Sequence, residues 1–343
     1  MDMQKTLERL CAVNGPSGFE KSVAELARQL LAPLVDETYT TRLGSVVGVR
    51  RCGIENAPGL VLDAHLDEIG LLVTGQEEGF LRFRTIGGVD PRMLCDREVT
   101  LLTDPPAYGI VTCMPPHLQS REDMEKSTPV RELFIDIGYK GEAVHVPVGT
   151  LGTFRGGCIP LGDEQFCGKA LDDRACMVTI LRALELLADK RLNVNLYVLF
   201  STREEVSAAG AAAAVWQFAP QMCVAVDVTH GDTPDGPKDK TFKLGGGPAI
   251  GIGPNMTRWM SRRLCELADR EHIDYQREVM ESHSGTNAWP MQISREGVAT
   301  AVVSLPLKYM HTPIEVVSKA DMEAVARLLA AFVSDPGEEV SVC

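Results

Sequence analysis

Strand and helix patterns alternate in two separated parts of the chain, and a β-rich block lies between them. Up to residue 70 and beyond residue 160, short apolar runs alternate with stretches whose apolar side chains recur at helical spacing. From residue 71 to 160, short β-like runs alternate with Gly and Pro turns, without a long helical pattern. We therefore predict an α/β domain, a mixed sheet flanked by helices, formed by residues 1–70 and 161–343. Residues 71–160 are predicted to form an inserted small β-barrel domain, with a sandwich as the alternative.

Length and composition exclude several classes of protein. The 343 residues, 45% hydrophobic and 24% charged, are typical of a globular chain with two domains. A net charge of −13 argues against binding nucleic acid through its phosphates. No apolar run approaches the roughly 20 residues that span a membrane, and the polar N-terminus does not resemble a signal peptide. The ten cysteines include no C-x-x-C pair and predict reduced thiols in a cytoplasmic protein.

Two helix starts carry capping signals. Ser17 and Glu20 have the spacing of a capping box, in which each side chain accepts a hydrogen bond from the backbone N–H of the other residue. Ser318 precedes the last amphipathic run and is predicted to be the N-cap of that helix. Both signals belong to the predicted α/β domain.

A histidine and an acid two residues apart follow a buried apolar strand. The run from Leu60 to Ala64 is followed by His65 and Asp67. Residues two apart on an extended chain face the same way, so the histidine could bind a metal ion while the aspartate orients its ring. The alternative is a histidine at a strand end that only hydrogen-bonds its neighbour.

Further acids and a second histidine occur at the ends of other apolar runs. They are, in chain order, Asp172 with Asp173, Glu204 with Glu205, Asp227 at the end of a strand that begins at Met222, and His311. Each has an ordinary structural explanation, since acids favour helix starts, where they cap the helix and complement its dipole. Together they would lie at one edge of an open α/β sheet, where functional sites are commonly built.

This set of residue types fits a pair of divalent metal ions. Histidines and carboxylates without thiolates suit zinc, cobalt or manganese better than calcium. One carboxylate can bridge two ions, and such a pair can activate a water molecule. An acid that is not a ligand must then accept a proton from that water, and two adjacent glutamates allow one ligand and one free acid.

The same stretches resemble the motifs of one enzyme family, in the family's order and over nearly the whole chain. The matching segments are 64–70 (AHLDEIG), 168–175 (GKALDDRA), 204–206 (EEV), 226–228 (VDV) and 309–311 (YMH). On these residues the chain resembles the co-catalytic metallopeptidases related to glutamyl aminopeptidase and the tetrahedral, dodecameric aminopeptidases, a family sometimes labelled cellulases.

The resemblance implies a ligand set for two divalent ions, with zinc preferred over cobalt or manganese. Asp172 would be the bridging ligand. His65 and Asp227 would complete one metal site. Glu205 and His311 would complete the other.

The resemblance also implies roles for residues that are not ligands. Glu204 would be the general base, and Asp67 would orient the ring of His65. The peptide bond after Asp172 would be cis. The insert at 71–160 stands where the family has its oligomerisation domain, so we expect self-association through it, as a dimer or a dodecamer.

Five residues depart from the family pattern. Ser207, Cys176 and Ser284 stand at positions where the family commonly has glycine, Asn287 stands where it has aspartate, and Lys308 replaces an arginine. All the implied ligands and the implied base are nevertheless in place. The departures are therefore expected to affect substrate preference and not the set of ligands.

These observations predict a cytoplasmic two-metal aminopeptidase that acts on peptides with a free N-terminus, with neither nucleic acid nor membrane as a partner. The nearest alternatives are an N-acyl amino acid deacylase or a carboxypeptidase built on the same metals. A glycosidase would require two carboxylates beside a sugar bond, and here the acids are needed as ligands. A third alternative is a non-catalytic, metal-bound assembly protein, which would have no use for the free acid Glu204.

Overall fold

The computed structural model describes residues 1–138 and 145–337. Its helices, apart from short 3₁₀ turns, are α1 (Met3–Ala12), α2 (Lys21–Leu31), α3 (Arg121–Met124), α4 (Leu171–Leu186), α5 (Glu204–Ser207), α6 (Ala209–Phe218), α7 (Arg258–Arg270), α8 (Ala288–Gln292) and α9 (Lys319–Ser334). Within these ranges, none of the helices combines the length and the apolarity needed to cross a bilayer.

The strands belong to a large sheet and to a small barrel. Those of the sheet are β1 (Glu37–Thr40), β2 (Val46–Arg50), β3 (Gly59–His65), β10 (Cys158–Leu161), β11 (Gln165–Gly168), β12 (Asn195–Ser201), β13 (Met222–His230), β14 (Ala249–Ile252), β15 (Gln276–Val279), β16 (Ala299–Lys308) and β17 (Glu315–Ser318). Those of the barrel are β4 (Gly70–Glu77), β5 (Phe80–Ile86), β6 (Glu98–Leu101), β7 (Ala107–Thr112), β8 (Phe134–Asp136) and β9 (Leu151–Phe154).

The large sheet is mixed, with a parallel centre. Its strands follow the order β1-β2-β12-β3-β13-β16-β17-β11-β10, and β14 pairs with both β16 and β15. Strands β12, β3, β13 and β16 run parallel, the other pairs along this order are antiparallel, and β14 runs antiparallel to β16 and parallel to β15. The carboxyl ends of the four central strands therefore meet at one edge of the sheet, where side chains from distant parts of the sequence can converge.

Helices cover both faces of this sheet because the central strands are buried on both sides. Helices α1, α2, α4, α7 and α9 pack on one face, against residues such as Leu60 and Leu62 of β3. Helices α6 and α8 pack on the other face, against Val61 of the same strand. The alternation along β3 places His65, which has the parity of Val61, on the α6–α8 side at the end of the strand.

The barrel is closed by six strands in the order β4-β5-β8-β7-β6-β9. Its interior is apolar and includes Leu71, Leu81, Phe83 and Leu101. The chain enters the barrel at Gly70, shortly after β3, and returns to the large sheet at β10. The predicted fold, a mixed α/β sheet with a small inserted barrel, is confirmed, while the domain limits at residues 71 and 160 remain a prediction.

Two local predictions are wrong. Glu20 precedes α2 as its N-cap without capping it through its side chain, and the hydroxyl of Ser17 donates instead to Oδ2 of Asp67. Helix α2 begins at Lys21, so Glu20 lies at the N-cap and not inside the first turn as the box requires, and its Oε1 accepts hydrogen bonds from the N–H groups of Gly18 (2.8 Å) and Arg203 (3.2 Å). Asp227 does not close its strand, because β13 continues to His230 in register with β16. The predicted cap of α9 is confirmed, since Ser318 accepts a hydrogen bond from the N–H of Asp321.

Candidate metal centre

His65 and Asp227 meet at the carboxyl edge of the parallel strands. Strands β3 and β13 are neighbours, and their register pairs Asp63 with Ala225. Two residues further along each strand, on the same face, stand His65 and Asp227. Nε2 of His65 lies 4.0 Å from Oδ1 of Asp227, and both side chains are buried.

Asp172 lies between the two candidate histidines. Its Oδ1 is 3.0 Å from Nε2 of His65, and its Oδ2 is 3.4 Å from Nε2 of His311. The backbone at Asp172 and Asp173 departs from helical geometry within the first turn of α4, and the peptide bond between them is cis, as the resemblance implies. One carboxylate therefore faces two histidines with different oxygens, the arrangement that a bridging ligand requires.

The candidate ligands form two groups that share Asp172. His65, Asp172 and Asp227, here called the first triad, offer ligand atoms that all lie within 4.8 Å of one another. Asp172, Glu205 and His311, the second triad, meet the same condition. In the second triad, Nε2 of His311 is 3.5 Å from Oε2 of Glu205.

The electrostatics of this cluster favour cations. Burial raises the pKa of Asp227 well above its usual range, and the nearby Asp173 raises it further. Burial and the charge of Asp172 raise the pKa of Glu205 to about 8. Burial acts in the same direction on Asp172, but hydrogen bonds from the protonated rings of His311 and His65 outweigh it and lower the pKa of that carboxyl. Crowded acids of this kind are stabilised in their ionised form when divalent ions are bound.

The donor set fits the divalent ions that the sequence predicts. Each triad offers one imidazole nitrogen and two carboxylate groups, a set suited to zinc, manganese or cobalt. Nδ1 of His65 faces the main-chain oxygen of Asp67 at 3.0 Å and donates to it, so in the neutral ring Nε2 keeps the lone pair that can bind a metal ion.

Glu204 lies beside both triads and belongs to neither. Burial raises its pKa to about 7, with a smaller contribution from the charge of Asp172. It lines a cavity of about 310 Å³ together with His65, Asp172, Glu205, Asp227, Glu278 and His311, among others. Among the described residues, no lysine or arginine lines this cavity. A carboxyl with a pKa near neutrality and no assigned ligand partner is suited to proton transfer.

Asp67 supports the turn that carries the glutamates. Its carboxylate accepts hydrogen bonds from the N–H groups of Glu204 (3.0 Å) and Glu205 (3.2 Å) and from the hydroxyl of Ser17. Oδ1 of Asp67 is 3.6 Å from Nδ1 of His65, farther than the main-chain oxygen of the same residue. The carboxylate of Asp67 thus contacts the glutamate pair more closely than it contacts the histidine.

Glu315 is a supporting residue that the sequence did not single out. Its Oε1 accepts a hydrogen bond from the N–H of His311 (2.9 Å), and its Oε2 accepts one from the N–H of Asp172 (3.1 Å). It is the first residue of β17 and pairs with Gly168 in β11, the strand that leads into α4. The only sequence signal was an acid four residues after His311, and it carried no indication of the second contact.

Of the five departures from the family pattern, Ser284 lines the cavity, whereas Ser207, Cys176, Asn287 and Lys308 do not. Asn287 is buried, and its Nδ2 donates to Oδ2 of Asp63 (2.8 Å) and to Oγ of Ser201 (2.9 Å), behind the two triads. Cys176 is buried in α4, near Asp173. A larger groove of about 1310 Å³ lies elsewhere, between residues near Asn56 and Asp335, and includes none of the candidate ligands. The small cavity at the triads is therefore the candidate active site.

A mixed α/β sheet with an inserted barrel and two triads sharing one aspartate defines a metallopeptidase-like protein. The chain matches the profile of the family described as M42 glutamyl aminopeptidase over residues 44–328. A lysyl aminopeptidase from Pyrococcus furiosus is 30% identical over 338 residues, which cover 96% of each chain.

Solved structures give the same result. An aminopeptidase from the archaeon Desulfurococcus kamchatkensis is 32% identical, with a TM-score of 0.90, over 97% of this chain and 94% of its own. The Pyrococcus horikoshii TET1 peptidase, described as assembling into a tetrahedron or a large octahedral shell, is 27% identical, with a TM-score of 0.84, over 97% of this chain and 100% of its own. The chain belongs to the M42 glutamyl aminopeptidase family and is a peptide hydrolase of the aminopeptidase class.

Proposed function

We propose that this chain removes N-terminal residues from peptides, using two divalent metal ions, preferably zinc. The observation that carries the proposal is the pair of triads that share Asp172 beside a glutamate belonging to neither. Bound ions would lower the pKa of a water molecule and polarise the scissile carbonyl. His65 and Asp227 would hold one ion, Glu205 and His311 the other, and Asp172 both.

Glu204 would carry the proton in this reaction. It takes a proton from the attacking water and delivers it to the nitrogen of the leaving amine. A general base works best when its pKa lies near the working pH, and burial brings the pKa of Glu204 to about 7. Asp67 contributes indirectly, because its carboxylate holds the N–H groups of Glu204 and Glu205 and so fixes the turn that carries both side chains.

The free N-terminus of the substrate matches the charge of the cavity. The carboxyl groups of Asp172, Glu204, Glu205, Asp227 and Glu278 line it, and no lysine or arginine of the described chain accompanies them. A protonated or metal-coordinated α-amine is favoured in such surroundings, whereas a substrate carboxylate is not. This contrast favours an aminopeptidase over a carboxypeptidase.

Acetylated substrates test this function directly. We expect matched aminoacyl anilides to be hydrolysed with a free amine, and their N-acetyl forms to react at least tenfold to a hundredfold more slowly in kcat/KM. The loss of one charge-assisted contact, about 1.5–3 kcal/mol, sets this range. Equal rates, or faster cleavage of the acetylated forms, would instead identify a deacylase.

Self-association in the cytoplasm completes the proposal. The TET1 peptidase, which has the same fold, can assemble into a tetrahedron or a large octahedral shell, and the inserted barrel is the expected contact domain. The nine cysteines among the described residues are free thiols, as expected in a reducing compartment. Cys343 lies outside the described residues. Light scattering at micromolar concentration tests assembly, and a monomer would contradict it.

A further inference from the structure

The segment that follows strand β5 of the barrel reaches the second triad. β5 ends at Ile86, and the next residues are Gly87 and Gly88. The main-chain oxygen of Gly88 lies 3.2 Å from Nδ1 of His311. A Cβ atom on Gly88 would lie 2.8 Å from the same Nδ1, and one on Gly87 would lie 2.7 Å from Oε2 of Glu205. The inserted barrel therefore contacts His311 of the second triad directly, and the backbone of Gly87 leaves no room for a side chain beside Glu205.

The contact with His311 determines which ring nitrogen carries the proton. A main-chain carbonyl oxygen can only accept a hydrogen bond, so Nδ1 of His311 must be the donor to Gly88. Nε2 is then unprotonated in the neutral ring and directed towards Asp172 and Glu205, at 3.4 Å and 3.5 Å. A neutral imidazole with its lone pair on Nε2 is the form that binds a metal ion.

The first triad obtains the same support from within the α/β domain. Nδ1 of His65 faces the main-chain oxygen of Asp67, two residues along the same chain segment. His65 is held within its own segment, whereas His311 relies on an acceptor that lies 223 residues away in the sequence, in the barrel. His311 is also the more open ring, with 29% of its side chain exposed against 2% for His65.

We propose that Gly88 is a positioning residue of the second metal site, through which the inserted barrel sets the tautomer and ring orientation of His311. The proposal rests on the proposed binding of two metal ions. Glycine is required because any Cβ would enter the space of the imidazole ring, at 2.8 Å from Nδ1 and 3.2 Å from Cε1. The backbone of Gly88 is not in the left-handed region, so Gly88→Ala perturbs His311 without straining the chain at that position.

Zinc titration of Gly88→Ala tests the proposal, with metal content measured independently by elemental analysis. We expect the variant to keep one tightly bound ion and to bind the second about tenfold to a hundredfold more weakly, the usual cost of losing a partner of a metal ligand. Gly75→Ala is the matched control, because the nearest atom to a Cβ there, Cβ of Arg82, is 3.9 Å away. The control should bind both ions as the wild type does.

Two outcomes separate failure of this inference from failure of the proposed function. If the wild type binds two ions and Gly88→Ala binds both with unchanged affinity, the positioning role is wrong and the two-metal function stands. If the wild type itself binds fewer than two ions, the proposed function fails first.

A measurement on the wild type does not depend on how well a variant folds. Nitrogen chemical shifts of ¹⁵N-histidine-labelled, zinc-loaded protein, with the signal of His311 identified by its absence in His311→Gln, should show a protonated Nδ1. An unprotonated Nδ1 would overturn the proposal.

Discussion

The first and second triads share Asp172 but differ in burial and in what supports them. All three residues of the first triad are buried, and Nδ1 of His65 faces an oxygen of the adjacent chain segment. In the second triad, Glu205 and His311 are only partly buried, and His311 contacts Gly88 of the barrel and Glu315 of β17. A site assembled from two domains is thus expected to hold one ion firmly and the other more loosely.

Removal of metal should have the largest effect and should expose this difference. Chelation is expected to abolish hydrolysis, with the ion of the second triad leaving first because His311 is the more exposed histidine. Zinc, cobalt or manganese should restore activity. The measurement is hydrolysis followed in parallel with metal content during stepwise chelation. Full activity in protein shown to be free of metal would exclude the two-metal mechanism.

Glu204→Gln should separate chemistry from metal binding. The amide keeps the size of the side chain but cannot accept the proton of the attacking water, so kcat should fall roughly 10²–10⁴-fold. Both triads lack Glu204, and metal content should therefore stay at the wild-type value. Loss of one ion on elemental analysis would mean that Glu204 and Glu205 exchange roles.

Parallel substitutions in the two triads should sharpen their difference. Asp227→Asn removes a carboxylate from the first triad, and Glu205→Gln removes one from the second. We expect each to weaken mainly its own ion, by more than the tenfold to hundredfold typical of an outer partner. Zinc titration should show two classes of site in the wild type and loss of a different class in each variant. Identical binding curves for the two variants would contradict independent sites.

The proximity of the candidate residues on strands could be predicted because it follows from the geometry of the sheet. His65 and Asp227 end up side by side because neighbouring parallel strands deliver residues of equal parity to one sheet edge. Their roles as ligands remain predictions. The mixed α/β sheet and the inserted barrel could likewise be predicted, from alternating patterns and a change of texture after residue 70.

The supporting contacts could not be predicted, because many of them involve backbone atoms. The main-chain oxygen of Gly88 faces His311, and the carboxylates of Asp67 and Glu315 accept hydrogen bonds from main-chain N–H groups. Such backbone groups do not depend on the type of side chain, so the sequence gives no sign of these contacts. The capping-box prediction for Ser17 and Glu20 failed for a related reason: local spacing cannot show that the carboxylate of Glu20 accepts a hydrogen bond from the N–H of Arg203, which the fold brings close. Tertiary hydrogen bonds overrode a local pattern.

Glu315→Gln should have the smallest effect of these changes and should act on both triads. Each oxygen of Glu315 accepts one backbone N–H, from His311 and from Asp172. An amide has one oxygen and one NH₂ group, so one of the two N–H groups would face a donor and lose its partner. A hydrogen bond to a charged acceptor contributes about 1.5–3 kcal/mol, which corresponds to roughly a tenfold to a hundredfold change in an equilibrium constant.

The direction of the amide decides which ion is weakened. If the amide oxygen accepts from the N–H of Asp172, the N–H of His311 loses its partner and only the second triad binds its ion more weakly. If the oxygen accepts from the N–H of His311, the bridging Asp172 is displaced and both ions bind more weakly. Glu323→Gln is the matched control, since Glu323 pairs with Arg182 on the helices away from the site and such partly exposed pairs contribute about 0–1 kcal/mol. Zinc titration of both variants makes the comparison. If Glu315→Gln bound zinc at both sites with wild-type affinity, the metal ions themselves, and not this buried carboxylate, would hold Asp172 and His311 in position.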